Sequence, residues 1–139
     1  MPETNEQIYD PLRRKLVAAT PEEKVRQWFI AQLSEVAEVP EWLMMSEVQM
    51  RSGQKIWRAD ILIYSRNGSP LAVVECKRPD VTIDAGVAAQ ALRYHSVQKV
   101  DYIFLTNGKS TYVYKKKSEG FTPIQRFPSY QEMDRQCQR

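Results

Sequence analysis

Two apolar runs, WRADILIY and PLAVVECK, flank SRNGS, and this arrangement constrains the chain more than any other segment. Asn and Gly are the favoured central pair of a tight hairpin turn, because both tolerate the left-handed backbone that twisted strand pairs require. With Asn67 and Gly68 at the centre, residues equidistant from it pair, which sets Asp60 opposite Glu75 and Arg58 opposite Lys77. A longer symmetric loop that excuses Pro70 keeps the same register. Opposed side chains leave one face with Cβ atoms about 4.5–5.5 Å apart, where two carboxylates repel. Alternation puts Glu75 and Lys77 on that face and Val74 and Cys76 on the other, so a hydrophobic hairpin ends in two acids and two bases. An ion between the acids would relieve the repulsion. Oxygen-only donors suit a hard cation such as Mg²⁺ or Mn²⁺, with the Cys76 backbone carbonyl completing the expected ligand set. Lys77 is placed to orient or help deprotonate an attacking water and to stabilise charge developing on a phosphate. A solvated salt-bridge network accounts for the same residues without chemistry.

The rest of the chain supplies a frame for this hairpin. Thr20 as N-cap, Pro21 at the first helical position and Glu23 three residues after the cap predict a helix start with a capping box. Val25, Trp28, Phe29, Leu33 and Val36 then form one expected buried stripe until Pro40. Leu12–Val17 is expected as a shorter preceding helix. Strands are expected over 44–51, 55–64, 70–77, 100–106 and 110–116, and a helix over DAGVAAQALRYHSVQ. The implied order is helix, three-stranded meander, helix, then a hairpin at Asn107 and Gly108. The fold class is α/β (α+β), a mixed sheet of about five strands flanked by helices. A tail from Phe121 is expected to begin with a short edge segment.

With 139 residues the chain fits one domain, expected over 1–139 with loosely held ends at 1–8 and about 128–139. No apolar run approaches the roughly 20 residues that span a bilayer, and MPETNEQIYD lacks the order of a signal peptide, so the expected location is cytoplasmic. Cys76 and Cys137 are the only cysteines and His95 the only histidine, which excludes a disulfide framework, a thiolate zinc cage and a multi-histidine metal site. Cys76, Trp28 and Phe29 read as core. His95 reads as a helix-end residue, favourable near the negative terminus. The net charge of +3 permits a polyanionic partner.

RAD60, followed after 14 residues by E75-C-K77, resembles the PD-(D/E)XK nuclease signature, with Ala59 in place of the proline. TPEEKVRQ, SEVQM, RADILIY, VVECKRP, AAQALRY and YIFLTNGKSTYVYK together resemble the N-terminal nuclease domain of type I restriction enzyme restriction subunits, over roughly Tyr9 to Tyr130. The resemblance implies a restriction-endonuclease-like core and a metal-dependent DNA nuclease. By the same resemblance Asp60 and Glu75 match the metal-binding acids and Lys77 the catalytic lysine. Gln90 and Tyr94 match a Gln-x-x-x-Tyr element beside the active site, and their i, i+4 spacing puts both on one helix face.

The family also carries an acid on the first helix. Glu22 is the choice, since Val25 and Phe29 at +3 and +7 place it on the inward stripe; Glu23 competes, and Glu47 is a weaker candidate with a surface role as its plainer reading. Arg78, Arg93, Lys99, Lys109 and Lys115–Lys117 could track phosphates, and a solvated face explains them equally. No Walker-type phosphate loop occurs, so either the chain acts alone, as a monomer or homodimer, or a separate motor or specificity subunit delivers DNA; an excised domain is equally compatible. Two non-enzymatic alternatives stand beside the nuclease: an inactive nucleic-acid-binding module of the same fold, and a protein-interaction subunit.

Overall fold

In the computed structural model, which describes residues 5–137, the chain runs β1 (Gln7–Asp10), β2 (Lys15–Ala18), α1 (Pro21–Glu35), a 3-10 turn (Glu41–Leu43), β3 (Met44–Ser52), β4 (Lys55–Tyr64), β5 (Pro70–Cys76), α2 (Ala85–His95), β6 (Tyr102–Thr106), β7 (Thr111–Lys117), β8 (Gly120–Ile124) and α3 (Tyr130–Cys137). Strands β3 to β8 form one six-stranded sheet in sequence order. Every neighbouring pair is antiparallel except β5 and β6, which are parallel and joined by the crossover through α2. The expected α+β architecture is therefore found, with β8 as the edge segment that brings the count to six.

The sheet is covered on both faces, which is why its middle strands read as continuous apolar runs. On one face, Val25, Phe29 and Leu33 of α1 and Tyr130 and Met133 of α3 pack on Ile61, Ile63, Val74 and Phe104. On the other, Ala88 and Leu92 of α2 pack on Leu62, Val73 and Ile103. No described helix is long and apolar enough to cross a membrane.

The β4–β5 register follows the hairpin arithmetic: Ile61 pairs with Val74, Leu62 with Val73 and Ile63 with Ala72. Pro70 cannot donate to a ladder, and a bulge between Ile63 and Tyr64 shifts only the outermost pair, Tyr64 with Pro70. Beyond β5 the loop toward the crossover is pinned to the β6–β7 turn. The Lys77 N–H donates to the Thr106 carbonyl at 2.8 Å, and the Asn107 side-chain amide donates to the Val81 carbonyl at 2.7 Å. Gly108 in that turn has a φ of 88°, and a Cβ there would lie 3.4 Å from Val25, so the turn sits directly on α1.

Several expectations need correction. Residues 12–17 form no helix: the chain reverses between β1 and β2, with Arg14 at a φ of 56° and its N–H bonded to the Asp10 carbonyl at 2.7 Å. On α1 the buried face is turned toward Arg26 and Ile30, leaving Trp28 41% and Val36 59% exposed, the latter because it caps the helix rather than continuing it. The region expected as a loose C-terminal end, 128–139, carries α3 instead. Tyr130 and Met133 are fully buried, the Tyr130 hydroxyl donates to the Tyr64 carbonyl at 2.8 Å, and Asp134 accepts from Ser65 Oγ at 2.5 Å. At the other end Gln7 and Ile8 already belong to β1; residues 1–4 and 138–139 lie outside the described residues.

Candidate active site

Asp60 occupies a place where both neighbouring ladders are open. The β4–β5 ladder ends at Ile61–Val74, one residue short of Asp60 and Glu75. The β3–β4 ladder pairs Ser46 with Ile61 and Val48 with Ala59 but skips Glu47 and Asp60 between them. Glu47 has a φ of 53°, left-handed in mid-strand, where a residue with a Cβ is strained. Asp60 is thereby free to turn its carboxylate to the end of β5, where Oδ2 accepts from the Cys76 N–H at 2.6 Å and Oδ1 accepts from Arg26 Nη2 at 3.2 Å. Burial pushes the Asp60 carboxyl up, and the charges of Glu22 and Glu75 add to that, against the opposing pull of the Cys76 N–H and Arg26.

Glu75 has a different environment. Its Oε2 meets Lys77 Nζ at 2.7 Å and its Oε1 meets His95 Nε2 at 2.8 Å. Burial alone would raise this carboxyl, but the hydrogen bonds and charges of His95 and Lys77 prevail and hold it at about 2. Val74 and Cys76 point into the opposite core, as alternation requires, and burial pushes the Cys76 thiol up, away from reactivity.

Around these acids lies an open cavity of about 570 Å³ that also takes in Glu22, Gln90, Tyr94 and Lys77. All six expected site residues thus border one space. Gln90 is exposed, and the Tyr94 hydroxyl accepts the Arg58 backbone N–H at 3.0 Å while its ring stands edge-on to Trp57 at 4.9 Å. The two first-helix acids divide cleanly. Glu22 borders the cavity, whereas Glu23 is buried beside it, bound by Arg13 Nη2 at 2.8 Å, Gln27 Nε2 at 2.9 Å and Arg26 Nη1 at 3.4 Å. The Thr20 hydroxyl does cap the Glu23 N–H, but the Glu23 carboxylate serves these partners. Glu47 is the exposed strand acid that was expected, its side chain 55% exposed in β3, and it also borders the cavity, 3.2 Å from Arg13 and 3.6 Å from Arg26.

Two residues have a place in this site that the sequence did not show. Arg26 is 4% exposed and stands among Asp60, Glu23 and Glu47; its signal is the i, i+4 spacing from Glu22. His95 ends α2, as expected, but it is 1% exposed and turned inward to Glu75, a contact that its helix-end reading did not include. It shares the inward face with Ala91, one turn earlier. Arg78, Arg93, Lys99, Lys109 and Lys115–Lys117 border no part of the cavity, whose cations are Arg26, Arg58 and Lys77.

Among the described residues no three acids, histidines or cysteines stand close enough to cage a metal by themselves. What Asp60 and Glu75 offer is a pair of hard oxygen donors on an open cavity, which fits an ion such as Mg²⁺ that keeps several waters. The donor chemistry favours that fit: Asp60 is buried with Glu22 and Glu75 as like-charged neighbours, and a cation beside it would offset their repulsion.

A family model described as the type I restriction enzyme R protein N terminus (HSDR_N) matches residues 21–128. Among solved structures, a fragment assigned to an HsdR subunit of a type I restriction enzyme from Vibrio vulnificus YJ016 is similar, with a TM-score of 0.61 and 21% identity over 87% of this chain. The chain spans only 26% of that one. A protein assigned as a DUF820 nuclease from Anabaena variabilis ATCC 29413 aligns over 97% of this chain and 93% of its own, at 13% identity and a TM-score of 0.47. No curated protein matches the chain. The fold is that of a restriction-endonuclease-like domain, and since the family match runs from the start of α1 to just before α3, the chain belongs to the type I restriction enzyme R protein N-terminus family.

Proposed function

We propose that the chain is a Mg²⁺-dependent nuclease that hydrolyses phosphodiester bonds in DNA. The observation that carries this reading is the convergence of Asp60, Glu75 and Lys77 on one open cavity, with Glu22, Gln90 and Tyr94 on its walls. Asp60 and Glu75 would hold the ion, with Glu22 and the Cys76 backbone carbonyl beside them. When bound, Mg²⁺ supplies Lewis-acid polarisation of the scissile phosphate. Lys77, on a flexible stem at the rim, leaves Glu75 to orient the attacking water and to oppose the negative charge that builds on the phosphate. Gln90 and Tyr94 present an amide and an aromatic ring on one helix face, suited to a phosphate and a base. Delivery of DNA by a separate motor or specificity subunit belongs to the same proposal, as does a cytoplasmic setting.

The test is incubation of the purified chain with plasmid, linear and single-stranded DNA in Mg²⁺ or Mn²⁺. Strand cleavage is expected, and Lys77→Ala should lower its rate by about 10²–10³ while DNA binding persists. If wild type and variant both bind DNA and neither cleaves it, the chain is a binding module built on a nuclease fold.

A further inference from the structure

We infer that His95 is a positioning residue that fixes the Glu75 carboxylate, committing Oε1 to helix α2 and leaving Oε2 alone to face Lys77 and the cavity. Its bearing on metal uptake rests on the nuclease reading above.

The two partners of Glu75 differ in what they can do. Lys77 has a 32% exposed side chain on a long stem, so it can release Oε2 to a cation without loss of packing. His95 cannot move in that way. Its side chain is 1% exposed, its ring stands perpendicular to that of Tyr94 at 4.8 Å, and its Nδ1 lies 3.5 Å from Gln98 Nε2 on the far side from Glu75. An ionised carboxylate only accepts, so Nε2 carries a hydrogen and donates it to Oε1, while Nδ1 faces the Gln98 amide. The imidazole therefore holds one oxygen of a three-torsion side chain before any ligand arrives. Outer groups of this kind orient a ligating carboxylate and remove the rotamer freedom it would otherwise lose on binding. An apolar side chain of similar bulk would fill the space yet leave Oε1 without a donor.

Because His95 is the only histidine in the chain, ¹⁵N–¹H correlation spectra of the imidazole need no assignment strategy. The expected spectrum shows hydrogen on Nε2 in slow exchange with water, and Glu75→Gln should shift or abolish that signal. A ring with no hydrogen on Nε2, or an Nε2 signal indifferent to Glu75→Gln, overturns the inference. Calorimetric titration with Mn²⁺ in the absence of DNA supplies the second readout. His95→Leu should weaken binding about tenfold, whereas His95→Gln, which returns an N–H near the Nε2 position, should stay within about twofold of wild type. Equal losses in the two variants, or none in either, overturn it. Should His95→Leu fail to fold, His95→Asn, whose amide stops short of Oε1, takes its place against His95→Gln. A wild-type chain that takes up no Mn²⁺ refutes the nuclease reading and the role in metal uptake together, even with the Nε2 signal as expected.

Discussion

Asp60, in the middle of β4, and Glu75, next to the end of β5, belong to one hairpin and border one cavity, yet the two sides of that cavity treat them in opposite ways. On the α2 side, Glu75 has a base for each oxygen and its carboxyl is held at about 2. On the α1 side, Asp60 shares a single arginine with Glu23 and Glu47, has Glu22 as a further acid nearby, and is pushed up by burial. Glu75 is satisfied without a ligand, and Asp60 is the acid that a cation would relieve.

The largest effect that could break this contrast is on metal uptake. If the burden on Asp60 is relieved by an ion shared with Glu75, Mn²⁺ at a hundred times its dissociation constant should stabilise the native chain by about 2.7 kcal/mol. The double substitution Asp60→Asn, Glu75→Gln should remove the corresponding rise in melting temperature, and a rise that survives in the double variant would show that any ion binds elsewhere.

A somewhat smaller effect sharpens the Glu75 half. A carboxyl lowered from 4.5 to about 2 on folding contributes stability that is complete above 4.5 and lost as pH falls toward 2. Discounted for its partly open side, that contribution is on the order of 2 kcal/mol. Urea unfolding should therefore show Glu75→Gln less stable than wild type near pH 7, with the gap closing as the solution is acidified. Asp60 acts in the reverse sense: its raised carboxyl favours the fold below its unfolded value, and that contribution disappears as pH rises.

The smallest effect concerns the wall between them. Gln90→Ala should alter stability by less than about 0.5 kcal/mol, as for an exposed residue, and reduce cleavage or DNA affinity about tenfold, equivalent to about 1.4 kcal/mol. Tyr94→Phe keeps the ring against Trp57 and removes the acceptor of the Arg58 N–H, which separates the hydroxyl from the packing. Wild-type cleavage and binding in both variants would reduce this face of α2 to scaffold.

Much of this was legible in the chain because local rules and tertiary context agree there. The β4–β5 register was readable from Asn67 and Gly68 because a period of two and a tight turn leave no other solution, and a bulge outside the paired region absorbs Pro70. Residues 12–17 were not readable: Leu12, Leu16 and Val17 suit a helical spacing, and the reversal depends on Arg14, whose side chain does not announce a left-handed backbone. Helix α3 was hidden because, among its described side chains, Tyr130 and Met133 are the buried apolar ones in an otherwise polar stretch, and the bond from Ser65 to Asp134 spans 69 residues. The six site residues were reached through strand and helix periodicity and the resemblance. Arg26, and the contact of His95 with Glu75, were missed because what distinguishes them is burial against acids from distant parts of the chain, Asp60 lying 34 residues from Arg26 and Glu75 20 residues from His95.

The left-handed Glu47 has a consequence for the company the molecule keeps. Strand β3 is one of the two outer strands of the sheet, paired with β4 on one side only, and the open edge of a nine-residue strand would ordinarily invite another chain to add a strand or seed an aggregate. Reversing the sign of φ in mid-strand breaks the regular row of donors and acceptors, and a carboxylate at that point adds like-charge repulsion toward an incoming copy. The kink that opens the ladder beside Asp60 thus also makes this rim a poor template for intermolecular β-pairing, leaving the approach to the cavity clear of a second sheet.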